Sequence, residues 1–191
     1  SLHDALPILS LKGNKMTGRR ISIEQSDPIW PERYQKEALL LQRVLSDIPV
    51  AIHHIGSTAV PGLAAKPIID ILLEVPSLHL LDKYNDTLRQ AGYTPRGEYG
   101  IPGRRYFVKG ENQRTHHLHA FELGSQHTLR HLAFRDYLRQ HSDIAQEYER
   151  VKREAAEHSG KLSERYSQLK NDFIQRHEAL ALREKSHRQP G

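Results

Sequence analysis

Residues 54–74 read HIGSTAVPGLAAKPIIDILLE. An apolar stretch, residues 50–55, runs into the pair Gly56-Ser57, and a β-branched run that carries a single carboxylate, Asp70, follows after a short loop. A carboxylate in such a run is costly to bury unless another group pairs with it. A small-residue turn followed by a carboxylate strand is typical of enzymes that hold a nucleoside triphosphate and its metal, so the stretch predicts a phosphate and metal site.

The composition of the 191-residue chain narrows the function classes. It contains no cysteine, which excludes disulfides, Cys-ligated zinc and a thiol nucleophile, and we expect a cytoplasmic protein. No apolar run reaches the roughly 18 residues of a membrane span. The net charge of +5 favours anionic partners, namely a nucleotide or a phosphorylated small molecule. Nucleic acid is possible on this charge but is not favoured, and the sequence leaves the oligomeric state open.

The chain divides into four segments by composition. Residues 1–15 precede the only methionine, Met16, and we expect a disordered leader that is an artefact or a misassigned start. Residues 16–124 predict a mixed sheet of four or five strands with helices packed on it. Residues 125–182 have helical spacing throughout and predict C-terminal helices packed on the core, and residues 183–191 predict a flexible tail.

The spacing of apolar residues places the individual elements. Strands are predicted at residues 21–23, 50–55, 67–75, 105–109 and 117–123, the last two as an antiparallel hairpin. Helices are predicted at residues 32–45, 78–91, 125–140, 143–158 and 162–182. The resulting fold class is α+β.

Several motifs together resemble the signature of GrpB-like proteins. The long stretch 54–71 is the most specific, and the runs RRYF at 104–107, THHLH at 115–119 and LAFRDYL at 132–138 accompany it. The resemblance covers about residues 21–178. It implies a divergent nucleotidyltransferase with the minimal, polymerase-β-like mixed sheet. In some bacteria such proteins are fused to dephospho-coenzyme A kinase.

The turn at Gly56 predicts a phosphate-binding element. Gly56 allows close backbone approach, and a helix that starts there would point backbone N–H groups at a phosphate. Ser57 and Thr58 can cap this helix or donate hydrogen bonds to phosphate oxygens. The alternative is an ordinary helix cap that follows a strand.

The carboxylate strand departs from the nucleotidyltransferase pattern at its second position. Such enzymes usually place two carboxylates two residues apart for a pair of metal ions, and here Leu72 stands where the second is expected. Glu74 would lie about 13 Å along the strand from Asp70, too far to replace it. His117 and His119 share one face of a later strand and could complete a site with Asp70 for a divalent ion. Imidazoles suit zinc or manganese better than magnesium, and two sheet histidines without metal are the alternative.

Basic residues supply further candidates near this site. Lys66 precedes the carboxylate strand and could neutralise phosphate as a catalytic group. Arg104 and Arg105 open the hairpin and could clamp a triphosphate. For each of them, a solvated basic side chain is the alternative.

Three more residues are candidate ligand contacts. His54 lies inside the long motif, and because neighbouring strand residues face opposite sides, we select it over His53 as the one that reaches the site. Tyr166 and Lys170 lie one turn apart on the last helix and could stack on a base and touch phosphate. Packing and a surface charge are their alternative roles.

Three functions follow from these candidates. The first is transfer of a nucleotidyl group with a divalent metal (Mg, Mn or Zn) and a nucleoside triphosphate as substrate. The second, which Leu72 favours, is a non-catalytic module that binds a nucleotide or coenzyme or docks a partner, with a link to coenzyme A biosynthesis. The third is a hydrolase in which a His-His-Asp metal activates water.

Overall fold

Five strands and six α-helices make up the part of the chain that the computed structural model describes, residues 22–157 and 161–188, with the backbone alone for residues 161–167. The helices are α1 Ile29–Val44, α2 Leu78–Asp82, α3 Asn85–Gln90, α4 Gln126–Gln140, α5 Ser142–Glu157 and α6 Lys161–His187. The strands are β1 Ala51–Ile55, β2 Ile69–Val75, β3 Tyr93–Pro95, β4 Arg104–Lys109 and β5 His116–Glu122. A short 3-10 helix, Ser57–Ala59, follows β1.

The strands form one mixed sheet in the order β1-β2-β5-β4-β3. β2 and β5 pair in parallel at its centre, and the other neighbours are antiparallel. A parallel pair needs a long crossover, and here α2, α3, β3 and β4 lie between its two strands in the chain. This arrangement confirms the predicted α+β class, with a mixed sheet and flanking helices.

One face of the sheet is apolar and carries the main core. Ile69, Ile71 and Leu73 alternate along β2, so their side chains lie on the same face. They pack in one cluster with Trp30 and Leu41 of α1. Helices α2 and α3 contribute further leucines to this cluster. The regular spacing of apolar residues in β2 therefore fixes which face receives α1.

The opposite face is partly apolar and partly polar. Ile55, Leu72 and Phe121 form a small buried cluster there, against which Leu132 of α4 packs. Buried charged or polar side chains on this face include Asp70, Arg104 and His119. Asp70 lies on this face because it pairs with Ile55 across β1 and β2.

The C-terminal helices pack on one another through aromatic side chains. The Tyr148 ring lies 5.8 Å from that of Phe134 and 5.4 Å from that of Phe173, centroid to centroid, and joins α4, α5 and α6. Val60 and Leu63, which follow the 3-10 helix, belong to the same buried cluster. The helical segment is therefore anchored to the loop between β1 and β2.

Several elements differ from the sequence predictions. The helix predicted at residues 78–91 is divided into α2 and α3, and β3 had not been predicted. In place of the edge strand at residues 21–23 there is a single bridge between Glu24 and Ala65, and Ile21 lies outside the described residues.

The sequence also predicted the structure of the two chain ends. Helix α6 continues to His187, where a flexible tail had been predicted from residue 183, because His141 contacts Glu184 at 2.8 Å and ties this end to α4. The predicted leader, residues 1–15, lies outside the described residues. None of the described helices combines the length and the apolar character that a membrane crossing requires.

The packing of α1 makes a testable prediction. Leu41 is fully buried and Leu39, on the same helix, is 66% exposed. We expect Leu41→Ala to lower the free energy of unfolding by about 2–5 kcal/mol, because it leaves a cavity in the core. Leu39→Ala, the matched control, should change it by less than about 0.5 kcal/mol. Urea denaturation measures both, and equal losses would contradict the assignment of the core face.

Candidate functional site

The turn after β1 requires glycine. Gly56 adopts φ 73° and ψ −172°, a backbone conformation that other residues rarely reach. The 3-10 helix that follows has only three residues, so it lacks the dipole that the sequence analysis expected to attract phosphate. Ser57 and Thr58 are both buried. For phosphate binding, this turn therefore provides the hydroxyl groups of Ser57 and Thr58 rather than a helix dipole.

A lysine that the sequence analysis did not select contacts this turn. The Lys152 ammonium donates to Ser57 Oγ at 2.9 Å and to the Ala64 carbonyl oxygen at 2.6 Å. It lies 4.8 Å from the centre of the Tyr148 ring, and the side chain is only 3% exposed. The signal in the sequence is that Ala145, Tyr148 and Lys152 fall on one helical stripe, which places a lysine on the buried face of α5.

Asp70 and two histidines meet at the centre of the polar face. His119 Nε2 lies 3.2 Å and His117 Nδ1 lies 3.5 Å from Asp70 Oδ1. The pairing of Asp70 with His117 and of Leu72 with His119 in the parallel ladder brings these side chains together. One ligand atom from each of the three lies within 4.8 Å of the others, so the group could hold a metal ion.

Two of these three side chains, Asp70 and His117, are suited to bind a divalent ion. Ligand atoms about 2.1 Å from a shared ion lie roughly 3.0–3.4 Å apart, close to the distances found here. On His117 the nitrogen at such a distance from Asp70 is Nδ1, whereas Nε2 is buried without a hydrogen-bond partner in the described part of the chain. Asp70 supplies a carboxylate oxygen. These two side chains fit an ion as they stand.

Arg104 restricts the third member, His119. The Arg104 side chain is fully buried, and its Nη1 lies 3.5 Å from His119 Nδ1. Arginine can only donate hydrogen bonds, so His119 Nδ1 must accept, and the proton of the neutral ring is on Nε2, facing Asp70. In the arrangement observed, His119 therefore donates to Asp70. Coordination through Nε2 would require its proton to move toward the guanidinium.

Arg104 is itself held without a carboxylate partner among the described residues. It donates to the carbonyl oxygens of Glu98 and Tyr99 at 3.2 and 2.9 Å, and its guanidinium lies 4.8 Å from the centre of the Tyr106 ring. Burial lowers the pKa of Arg104. The imidazole of His119 thus lies between the Arg104 guanidinium, at 3.5 Å from Nδ1, and the Asp70 carboxylate, at 3.2 Å from Nε2.

The titration of these groups follows from their burial. Burial alone would raise the pKa of Asp70, but the imidazoles of His117 and His119 beside it hold that pKa well below its usual range. Burial lowers the pKa of His119 to about 4. Burial, reinforced by His119, also holds the pKa of His131 well below its usual range. At neutral pH the site therefore holds an ionised Asp70 carboxylate beside the neutral imidazole of His119.

One small cavity joins these groups to the turn. Its volume is about 30 Å³, and its walls include Ser57, Lys66, Asp70, His117 and Lys152. That volume holds about one water molecule or one ion. The structure thus brings Lys66 to the same cavity as the carboxylate, as the sequence analysis expected, and adds Lys152.

His54, a candidate ligand contact, lies on the sheet face opposite to Asp70. His54 pairs with Ile71, so it faces α1, where its ring stacks on Tyr34 at 4.6 Å. His53 shares the face of Asp70 and contacts Glu74 at 2.8 Å. Alternation along a strand shows which residues face apart but not which face is the site, and the ladder register corrects the choice between the two.

Arg105 is also directed away from the cavity. It donates to both carboxylate oxygens of Asp82, at 2.8 and 3.2 Å, on the face that carries α2. It therefore cannot act with Arg104 as one clamp. Lys170 is buried on α6 and is not part of the cavity wall in the described residues. The side chain of Tyr166 lies outside the described residues.

Comparison with known proteins places the chain in a family. The family model described as GrpB protein matches residues 20–179. The chain belongs to the GrpB family. A crystal structure of the conserved protein GrpB from Enterococcus faecalis has a TM-score of 0.79 to this GrpB chain at 38% identity, over 86% of this chain and 99% of that one. The family resemblance of the sequence motifs is confirmed.

Curated relatives extend this GrpB assignment. The UPF0157 protein YqkA of Bacillus subtilis is 45% identical over 171 residues, which are 89% of this chain. The chain spans about half the length of YqkA, 50%. A protein named dephospho-CoA kinase from Mycolicibacterium paratuberculosis is 40% identical over 76 residues, which are 38% of this chain and 18% of that protein.

The buried histidines of this GrpB protein predict acid sensitivity. Burial lowers the pKa of His54 to about 4 in the folded state, against about 6.5 in the unfolded chain. Between these values the unfolded chain binds more protons, so the stabilising effect of a neutral His54 is complete above pH 6.5 and is lost as the pH falls toward 4. The loss is at most about 3 kcal/mol for one such group.

Urea denaturation at a series of pH values tests this expectation. His54→Gln should flatten the decline in unfolding free energy between pH 6.5 and 4, because one acid-labile group is removed. His79→Gln, at an exposed histidine of α2, serves as the control and should leave the profile unchanged. An unaltered slope in His54→Gln would show that His54 binds its proton equally well in the folded and the unfolded chain, and would contradict this expectation.

Proposed function

We propose that this GrpB protein binds a divalent cation at Asp70 together with the phosphate of a phosphorylated ligand, a nucleotide being the favoured class. The observation that supports the proposal is the cavity in which Asp70, His117, Ser57, Lys66 and Lys152 meet. A carboxylate and an imidazole suit the cation, and the ammonium and hydroxyl groups suit phosphate oxygens. The cation and the phosphate that these two halves attract carry opposite charges and would neutralise one another.

The ion would be held by Asp70 and His117. His117 Nδ1 lies 3.5 Å from Asp70 Oδ1, a separation that two ligands of one ion can have, and Asp70 is ionised. His119 would keep the carboxylate oriented by donating to it, as a positioning residue. A two-ligand protein site leaves the rest of the coordination shell to water and phosphate oxygens. When bound, the ion would neutralise phosphate charge and fix its position.

Leu72 favours binding of a ligand over ordinary nucleotidyl transfer. It stands where the second metal-binding carboxylate is expected, and it is fully buried against Ile55 and Phe121. A carboxylate placed there would be desolvated among apolar side chains. The remaining groups support one ion rather than the pair that two-metal transfer uses. We therefore propose a single-ion binding protein and treat turnover as the outcome that would contradict it.

The partial match to dephospho-CoA kinases guides the choice of ligands. It suggests adenine nucleotides and dephospho-coenzyme A as first probes, together with ATP and GTP. The positive charge of Lys66 and Lys152 favours ligands with more than one phosphate. The link to coenzyme A biosynthesis is thus part of the proposal.

Metal titration tests the cation site. We expect calorimetry to show one Mn²⁺ bound per chain. Asp70→Asn and His117→Asn each remove a proposed ligand of the ion. Each should therefore weaken Mn²⁺ binding by more than about 100-fold, the upper end of the effect of changing a residue that only supports a ligand. Asp86→Asn and His79→Asn, at exposed positions, are the matched controls and should bind Mn²⁺ like the wild type. His119→Asn should have the smaller effect of a positioning residue. Unchanged Mn²⁺ affinity in Asp70→Asn would reject the cation site.

Lys152 tests the phosphate half of the proposal. Lys152→Met removes a charge-assisted donor, which is worth about 1.5–3 kcal/mol, so tripolyphosphate affinity in the presence of Mn²⁺ should fall about 10- to 100-fold. Mn²⁺ affinity in the absence of tripolyphosphate should change far less, because Lys152 is not one of the two proposed ligands of the ion. Lys152→Arg should restore part of the affinity. A Lys152→Met protein that binds tripolyphosphate normally would remove the ammonium from the phosphate site.

Release of a product from ATP separates the functions. Wild-type protein with Mn²⁺ and ATP should leave the nucleotide intact over hours. Accumulation of pyrophosphate together with a modified acceptor would instead establish transfer, and free phosphate without an acceptor would establish hydrolysis. Either product, if lost in Asp70→Asn, would overturn the proposal of a binding protein.

A further inference from the structure

A second and much larger cavity lies directly beyond the turn. Its volume is about 480 Å³, within the about 300–1,000 Å³ of small-molecule sites. It opens between the start of α1, the loop after the 3-10 helix, and α4. Thr58 lines both this cavity and the Asp70 cavity. Buried Thr58 is therefore a wall residue that the two spaces share.

The Asp70 cavity cannot hold a whole phosphorylated ligand. Its volume of about 30 Å³ accommodates an ion or a single oxygen-sized group. Any ligand whose phosphate reaches Asp70 must place its remaining atoms outside this space. The cavity on the other side of Thr58 has the size that those atoms require.

The walls of the large cavity carry fixed aromatic groups. The rings of Tyr34 and His54 both border it and stack at 4.6 Å with an angle of 10° between them. Tyr34 donates its hydroxyl hydrogen to the Ile52 carbonyl oxygen at 3.0 Å, and His54 Nε2 contacts Thr58 Oγ1 at 2.9 Å. Because these contacts already hold the rings in place, little side-chain freedom is lost when a ligand binds.

Polar groups at the rim complement this aromatic wall. Arg139 lines the cavity and donates from Nε to the Ala59 carbonyl oxygen at 2.8 Å, while its two Nη atoms make no hydrogen bond within the described residues. Gln35 adds an exposed amide on the side of α1. A flat ring with hydroxyl or phosphate oxygens nearby matches these groups, because bases stack on aromatic rings and arginine donates to such oxygens.

We propose that the two cavities form one bipartite site for a nucleoside phosphate, with the nucleoside in the large cavity and the phosphates passing Thr58 to reach the cation at Asp70. This inference rests on the proposed function for the Asp70 end. It assigns His54, which lies away from Asp70, to the nucleoside end of the ligand.

Calorimetry with saturating Mn²⁺ tests the inference by comparing tripolyphosphate, which lacks a nucleoside, with ATP and GTP. Wild-type protein should bind at least one of the two nucleotides about tenfold more tightly than tripolyphosphate. Gln35→Trp, which fills the large cavity from its rim, should abolish that difference and leave tripolyphosphate affinity unchanged. Lys36→Trp, next to it on α1 but outside the cavity wall, is the matched control and should bind like the wild type.

Arg139 provides an independent arm of the test. Arg139→Gln should weaken nucleotide binding several-fold and leave tripolyphosphate binding unchanged, whereas Arg183→Gln, at an exposed position of α6, should change neither. Equal affinities for nucleotide and tripolyphosphate in the wild type, or equal effects of Gln35→Trp and Lys36→Trp, would overturn the inference.

The two proposals fail in distinguishable ways. Absence of Mn²⁺-dependent tripolyphosphate binding in the wild type would reject the proposed function at Asp70. Nucleotide binding that Asp70→Asn leaves intact but Gln35→Trp abolishes would show that the large cavity is a separate site, and the bipartite arrangement would then be rejected.

Discussion

The charge of Asp70, buried between two histidines at the centre of the sheet, is the constraint on which the rest of the site depends. A carboxylate that is 6% exposed needs donors, and the parallel pairing of β2 with β5 supplies them in register from His117 and His119. The next strand, β4, then brings Arg104, whose Nη1 lies 3.5 Å from His119 Nδ1 and which has no carboxylate partner among the described residues. A one-residue slip in this ladder would turn these side chains to opposite faces.

The sequence was sufficient to predict the central strand of the fold and the face on which the two histidines of the candidate site lie. The β-branched run around Asp70 predicted β2, and alternate spacing correctly put His117 and His119 on one face. Other features required the tertiary structure. Lys152 is 95 residues from Ser57 in the chain, and no local pattern links them, although its position on the buried stripe of α5 was a signal. Alternation alone could not decide between His53 and His54, because only the pairing of β1 with β2 shows which face is which.

Leu72 occupies the position of β2 at which the nucleotidyltransferase pattern would place a second carboxylate. Its side chain completes an apolar cluster with Ile55 and Phe121, directly beside the carboxylate of the same strand. The position expected to carry a second acid has become part of the packing between the sheet and α4. The buried polar side chains beside this cluster include the Asp70 carboxylate, the His119 imidazole and the Arg104 guanidinium.

The contact between Lys152 and Ser57 has a consequence for how this protein can be divided. By composition the chain separates near residue 124 into a sheet segment and a helical segment, but the ammonium that faces the carboxylate cavity comes from the second and the hydroxyl that it binds comes from the first. Each segment therefore holds only one partner of this contact. Exchange of either segment for that of another protein would break the contact unless both partners were kept, even if both pieces retained their shape.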